Sequence, residues 1–297
     1  MRIKFSKFLE EKMNQINMPL IDSQHLFLLF IFYSFVGWIC EEIWVSSLYR
    51  KIEKRGMLHG PICPIYGFGA LIILFGIYPW RETWFRLFVA SAILASILEY
   101  FSSWLLETIF HTKWWDYSGH KFNLNGRICL LNSCAFGLGG VALEHFLHPI
   151  AVNLIFATEI QPFIPSIYYA FSTILGIDLI FTVKRLVRFS ETMEKLKMFG
   201  EQLKEKYGSE SWFRDTNLHT MIQSVKARIE SGSIQASEKM KERLEKFSRR
   251  QRNEESLFRK FPTMSSREYK LPLDHIKQTL KESIEKKRNE RLSKIRK

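Results

Sequence analysis

Five side chains stand out because they are polar where their neighbours are not. Glu41, Glu42, Glu99 and Asp178 lie within long runs of Leu, Ile, Phe and Val, and Ser103 follows Glu99 at a helical spacing of four. A carboxylate near the centre of a bilayer costs roughly 2.5 to 3.5 kcal/mol on insertion scales, so an acid placed there needs a partner, water or a function. Two chemistries fit. These groups can form a polar pathway or a proton-coupled site where helices meet. Alternatively, such acids, with Glu107 and Glu144, reach headgroup water or pair with Arg55, Arg86 or Arg127 and so hold helices together. Other chemistries find little support. Cys40, Cys63, Cys129 and Cys134 form no C-x-x-C pair and read as free thiols, so no metal and no cofactor is expected. With no Ser/His/Asp constellation, no H-E-x-x-H and no paired intramembrane Asp, the chain is not expected to be an enzyme.

A second group is the run RGMLHGPICPIYGFGA, which contains Arg55, Pro61, Pro64, Tyr66, Gly67 and Gly69. Proline removes a backbone donor and glycine loosens a helix, so residues 60–69 are expected to enter the membrane as a broken or re-entrant segment. Such backbone survives only inside protein or beside a water-filled cavity, which makes it either a pathway lining or a turn before an ordinary helix. The third group, Trp115, Asp116, Tyr117, Asn123, Asn125 and Arg127, lies in HTKWWDYSGHKFNLNGR. This loop mixes donors, acceptors and aromatics without low-complexity bias and is expected to be ordered, as a headgroup or partner site or as a hydrogen-bonded cap.

The elements that must position these groups are apolar. Stretches 25–49, 62–79, 84–110, 127–147 and 163–183 approach the 20 or so residues a spanning helix needs, which predicts an all-α, polytopic membrane helix bundle of about five spans. Of the 43 Lys and Arg and 30 Asp and Glu, residues 1–183 hold 13 of each, whereas residues 184–297 hold 30 basic and 17 acidic ones. The chain therefore divides into an N-terminal amphipathic segment (1–24), a transmembrane domain (25–183) and a basic helical tail (184–297). The positive-inside rule puts 50–55, 111–127 and the tail in the cytoplasm and 148–162 outside. In the tail, Phe189, Met193, Leu196 and Leu203 form one apolar seam and Leu218, Ile222, Val225 and Ile229 another; Met240, Leu244 and Phe247 form a third. Gly208, Gly232, Pro262 and Pro272 punctuate them. Two to four amphipathic helices, or a short coiled coil, are expected near the lipid surface, fraying from about Lys281. Interleaved acids and the lack of a DNA or RNA motif argue against nucleic acid as a partner.

Several collinear segments resemble one family. FYSFVGWICEEIW, RGMLHGPICPIYGFGA, LEYFSSWLLE, WWDYSGHKFNLNGRICLLNSCAFGLGG and the closing His148-Pro149, spread over residues 26–184, are similar to the bacterial CmpB-like family of ABC-transporter type IV permeases. The resemblance implies a multi-pass permease subunit of the bacterial inner membrane. It brings no catalytic or binding residues with it and leaves the tail unaddressed. No G-x-x-x-x-G-K-[ST] phosphate loop is present, so a separate ATP-binding subunit would supply energy, meeting the tail or the 111–127 loop. The alternative expectation is a non-transporting membrane scaffold that recruits a partner through its basic tail. Five helices are few for a solitary pathway, so a homo- or hetero-oligomer in the lipid bilayer is expected.

Overall fold

The computed structural model describes residues 22–49, 56–76, 83–214, 218–233, 240, 242 and 256–295; the expected N-terminal amphipathic segment (1–21 of it) and Arg55 lie outside them. Helices α1 (Ser23–Tyr49), α2 (Pro64–Gly76) and α3 (Trp84–Phe110) come first. A hairpin follows, β1 (Asn123–Leu124) and β2 (Ile128–Cys129), then α4 (Leu130–Ala142), α5 (His148–Ile155), α6 (Ile164–Tyr207), α7 (Leu218–Glu230) and α8 (Lys270–Ile295). They group into two bodies, one holding residues up to Ser102 with Tyr117–Val183, the other Ser103–Asp116 with Lys184–Lys297.

The first body is a helical membrane bundle; among the described residues four helices, not five, are long and apolar enough to cross: Ser23–Ile43, Trp84–Phe110, Leu130–Ile155 and Gln161–Tyr207. The expected second span is not among them: its described helix, Pro64–Gly76, holds 13 residues, about 20 Å of rise against a hydrocarbon core of about 30 Å. A second correction concerns residues 148–162, expected as a loop. The helix runs on to Ile155 through a π turn, Leu143–Leu147, where the His148 N–H donates to the Leu143 carbonyl five residues back. Pro149 lacks an N–H and would break a regular helix; the widened turn beneath it accommodates the ring.

Small residues set the helix spacing. A Cβ on Gly67 of α2 would stand 2.2 Å from the Ser34 Oγ and 2.7 Å from the Phe30 carbonyl oxygen of α1, and one on Gly37 2.3 Å from Tyr66. A Cβ on Gly140 of α4 would meet the Ser91 hydroxyl of α3 at 2.1 Å, while the hydroxyls of Ser96 and Ser133 bond at 2.7 Å. This is the small-residue contact expected where helices cannot rely on the hydrophobic effect to associate. At one end, Asp22 caps α1 by accepting the Gln24 and His25 backbone N–H groups at 3.0 and 2.8 Å. Burial opposes ionisation of Asp22, but these bonds and the His25 ring hold its carboxyl below the usual range. His25 also stacks on Phe156 and bonds to Gln161, so α1 begins where α5 turns into α6. Phe85, Ile93, Ile97, Phe101, Ile174 and Ile177 are among the many large apolar side chains left facing outward, as lipid contact requires.

The second body has a core of its own. Phe189, Met193, Leu196 and Leu203, the first predicted seam, are at most 1% exposed, and Leu218, Val225, Leu257, Met264, Leu273 and Ile276 are at most 2%. Of the third seam, Leu244 and Phe247 lie outside the described residues. Trp114, 1% exposed, has its ring 5.4 to 6.3 Å from Phe110, Phe189 and Phe261. Lys113 and Ser265 exchange backbone hydrogen bonds at 2.8 and 2.9 Å. α8 remains helical to Ile295, so the fraying expected from Lys281 is not seen, and Pro272 sits in its first turn, where the missing donor costs nothing. Gly208 does end α6, its N–H returning to the Lys204 carbonyl, and Gly232 follows α7 at φ 72°.

Two outcomes follow. Gly67→Val forces α1 and α2 apart and lowers stability by about 1 to 3 kcal/mol, read as an earlier thermal transition in detergent, whereas Gly139→Val, with nothing within 4 Å, leaves it within about 0.5 kcal/mol. In the second body, burial and then the neighbouring His219 ring, 5.3 Å away, push the His275 imidazole down to about 4. The unfolded chain therefore binds the extra proton first, and stability present above about pH 6.5 is lost as pH falls towards 4, on the order of 3 kcal/mol in all. Limited proteolysis of residues 184–297 should accelerate over that window in the native chain and respond less in His275→Leu.

Candidate functional site

Between α1 and α2 the described chain, residues 56–63, is neither helix nor strand, yet it lies among spanning helices. Its depth is set by Cys63, whose N–H donates to the Ser34 carbonyl at 3.0 Å, midway along the Ser23–Ile43 apolar stretch. Exposed backbone donors cannot be left bare in hydrocarbon. Asp178 of α6 answers two of them: Oδ1 accepts the His59 N–H at 2.9 Å and Oδ2 the Gly60 N–H at 2.7 Å. The Thr182 hydroxyl donates to the same Oδ1 at 3.1 Å, and the His59 ring nitrogen Nδ1 stands 3.1 Å from it. Ile62 completes the turn by donating to the Gly60 carbonyl. Proline at the first position of α2 then starts a helix without wasting a donor, since the N–H it lacks would have had no intrahelical partner. The broken segment expected at 60–69 thus occupies residues up to Cys63, and Pro64, Tyr66, Gly67 and Gly69 are helical.

Beside this segment the structure assembles an acidic and phenolic group. Glu41 of α1 accepts the Tyr66 hydroxyl at 3.4 Å on Oε1 and the Cys63 thiol at 3.8 Å on Oε2. Glu99 of α3 is 6% exposed and accepts the Tyr117 hydroxyl at 3.2 Å on Oε1. The two carboxyls lie within electrostatic reach of each other, and the Tyr66 phenol feels both. Burial first, and then Glu99, push the Tyr117 phenol well above its ordinary range, which keeps it a hydrogen-bond donor. Asn132 of α4 also bonds to that phenol, so four elements and one loop converge here.

The other predicted residues are placed elsewhere. Glu42 is half-buried next to Glu41, and Pro61 is exposed in the irregular segment. Ser103, 2% exposed, belongs to the second body, as do Trp115 and Asp116, whose Oδ2 accepts the Ser265 hydroxyl at 2.5 Å. Asp178 is gathered not with the acids but with the backbone of 59–60. In the hairpin, Asn123 Oδ1 accepts the Gly126 N–H, Asn125 donates to the Tyr100 hydroxyl at 2.9 Å, and Arg127 lies 5.3 Å from the Tyr100 ring. Sequence reading missed the hairpin, although Asn125-Gly126, at φ 54° and 68°, is the strongest short-range signal for such a turn. Nothing in residue type or spacing pointed to His59, Thr182 or Asn132.

The matching segments lie along this architecture. A family profile described as "Putative ABC-transporter type IV" matches residues 28–183, just over half of the chain. The chain belongs to this CmpB family. The match covers α1 to the membrane part of α6 and stops where the second body's long segment begins. No curated protein and no solved structure matches the chain. For this CmpB-family member, then, the helical membrane bundle and membership of a family described as "Putative ABC-transporter type IV" are in hand, and the residues of the acidic group come from the geometry alone.

The tie made by Asp178 is testable at Cys63, which is buried at 5% exposure. Asp178→Ala strands two backbone N–H groups, a loss of about 1 to 3 kcal/mol each if they stay buried, and the segment should loosen. Maleimide labelling read by peptide mass spectrometry is expected to rise at Cys63 and to stay constant at exposed Cys40.

Proposed function

We propose that the chain is the membrane permease subunit of an ABC-type transporter, acting by conducting a substrate and not by making or breaking covalent bonds. It would sit in a bacterial inner membrane with residues 184–297 in the cytoplasm, driven by a separate ATP-binding subunit. The observation that carries this reading is the irregular backbone at span mid-depth, tied by Asp178 and flanked by buried Glu99 and by Glu41. Interrupted helices with polar side chains at mid-membrane are how transporters build binding sites, because only there are unpaired backbone dipoles and carboxyls available to a solute. Family membership supports the same reading. α6 supports an oligomer, since little of its apolar membrane stretch is buried within the chain and four long helices offer little enclosure.

The scaffold reading draws on a different observation. The tail forms a body with its own core in a segment carrying 30 basic and 17 acidic residues, more structure than a tether needs. Affinity purification of the full chain from native membranes in mild detergent separates the two. Near-stoichiometric recovery of a phosphate-loop ATPase is the expected result. An ATPase-free preparation, with an envelope or cytoplasmic protein held through residues 184–297, would overturn the permease reading in favour of the scaffold.

A further inference from the structure

The hairpin between α3 and α4 turns apolar side chains outward. Phe122 is 80% exposed and Leu124 and Leu130 more than half, whereas Cys129, paired with Asn123 across the two strands, is buried. Phe122 and Leu130 are neighbours, since the Leu130 N–H donates to the Phe122 carbonyl at 3.2 Å. The hairpin is also set back along α3. Asn125 donates to the Tyr100 hydroxyl at 2.9 Å and the Tyr117 hydroxyl to Glu99 at 3.2 Å, some ten residues, about 15 Å of rise, before that helix ends at Phe110. At that level α3 still faces lipid: Phe85, Val89, Ile93, Ile97 and Phe101 recur every four residues and are all exposed. On α4 the exposed Leu131 and Leu138 carry the same surface on from Leu130. The apolar side of the hairpin is therefore continuous with the lipid-facing surface of the bundle.

Its backbone is closed as well. The Tyr117, His120 and Arg127 N–H groups donate to the carbonyls of Gly126, Tyr117 and Leu124, the Gly126 N–H to Asn123 Oδ1, and the Asn123 amide to the His120 carbonyl. A loop in bulk water can leave such groups to the solvent; one at the lipid boundary must answer them itself. Beside Phe122 stand the exposed His120 and Lys121, and a lysine stem reaches from an apolar boundary to lipid phosphates. We propose that the hairpin, residues 117–130, is seated in the leaflet, with Phe122 and Leu124 about 5 to 10 Å into the headgroup and acyl boundary and Lys121 at the phosphates. An expected cytoplasmic loop becomes an interfacial anchor whose partner is the bilayer. The same hairpin carries the Tyr117 hydroxyl to Glu99, so one element meets lipid on its outer side and the acidic group on its inner side.

The test uses the native full chain in vesicles of phosphatidylcholine and phosphatidylglycerol that include a phosphatidylcholine with a photoreactive diazirine in its acyl chain. After illumination, tryptic cleavage at Lys121 and Arg127 isolates Phe122–Arg127 as one peptide, and mass spectrometry reads lipid adducts on it. An adduct is expected there, as on the α3 peptide that carries Ile93 and Ile97. Labelling of the α3 peptide with none on Phe122–Arg127 overturns the proposal. A spin label then separates lipid from water and from protein. In a chain whose exposed Cys40 and Cys134 are changed to serine, a nitroxide is attached at Phe122→Cys. Oxygen, which concentrates in lipid, is expected to relax it severalfold more than a water-soluble nickel chelate does. Preferential relaxation by the chelate puts the tip in water, and exclusion of both reagents puts it against protein, a second copy of this chain included; either result overturns the anchor. The photolabelling needs no substitution, so it decides the matter even where the labelled variant fails to fold. Neither readout depends on whether an ATPase co-purifies, so the anchor and the permease reading fail separately.

Discussion

A backbone that enters hydrocarbon must have each of its polar groups answered by protein, and in this chain the demand falls most heavily on residues 56–63. Asp178 meets it with both carboxylate oxygens, and the Ser34 carbonyl meets it a third time. The rest of the membrane body follows from this settlement. Because Cys63 is held at the level of Ser34, α2 starts about halfway along α1. Among the described residues the full crossings are made by α1, α3, α6 and the joined α4 and α5.

Close approach is the second condition. Glycines 37 and 67 let α1 and α2 touch along their backbones, and Gly137 and Gly140 do the same for α3 and α4. The gain is not only dispersion energy. Tyr66 can reach Glu41 because Gly37 leaves space for its ring, and Tyr117 can reach both Glu99 and Asn132 because α3 and α4 are close. Small residues thus position the chemistry here more than the large ones do. The cost of assembling buried acids is a local loss of stability of the sort that proteins accept at functional sites.

The second body solves an ordinary problem in an ordinary way. Its surface is basic, but its interior is aromatic and aliphatic, centred on Trp114 and Phe189. The end of α3 and the residues to Asp116 contribute to that core, so residues 111–116 are less a loop than a structural strut, closed by the Lys113–Ser265 bridge. His219 and His275 bring the exception. One bonds to Thr279 and Glu282, while the other has a buried Nδ1 without a partner, and this makes the body sensitive to acid.

Much of this was legible in one dimension. Apolar length alone identified a helical membrane bundle, the charge step at 183/184 coincides with the division between the two bodies, and the first tail seam proved to be buried. Hydrophobicity and its period are properties of local composition, so they survive without knowledge of the neighbours. Glu41 and Glu99 were visible too, as polar residues with a burial cost, and Tyr117 as part of a polar and aromatic loop. Their partners were not. Whether Asp178 would join them or tie down a backbone 118 residues away depended on which helix faces met, and that depended on where glycine permitted contact. Local sequence determined what each segment can bury; only the tertiary structure decided what each buried group is buried against, since a hydrogen bond across helices is a property of two segments and of the distance between them.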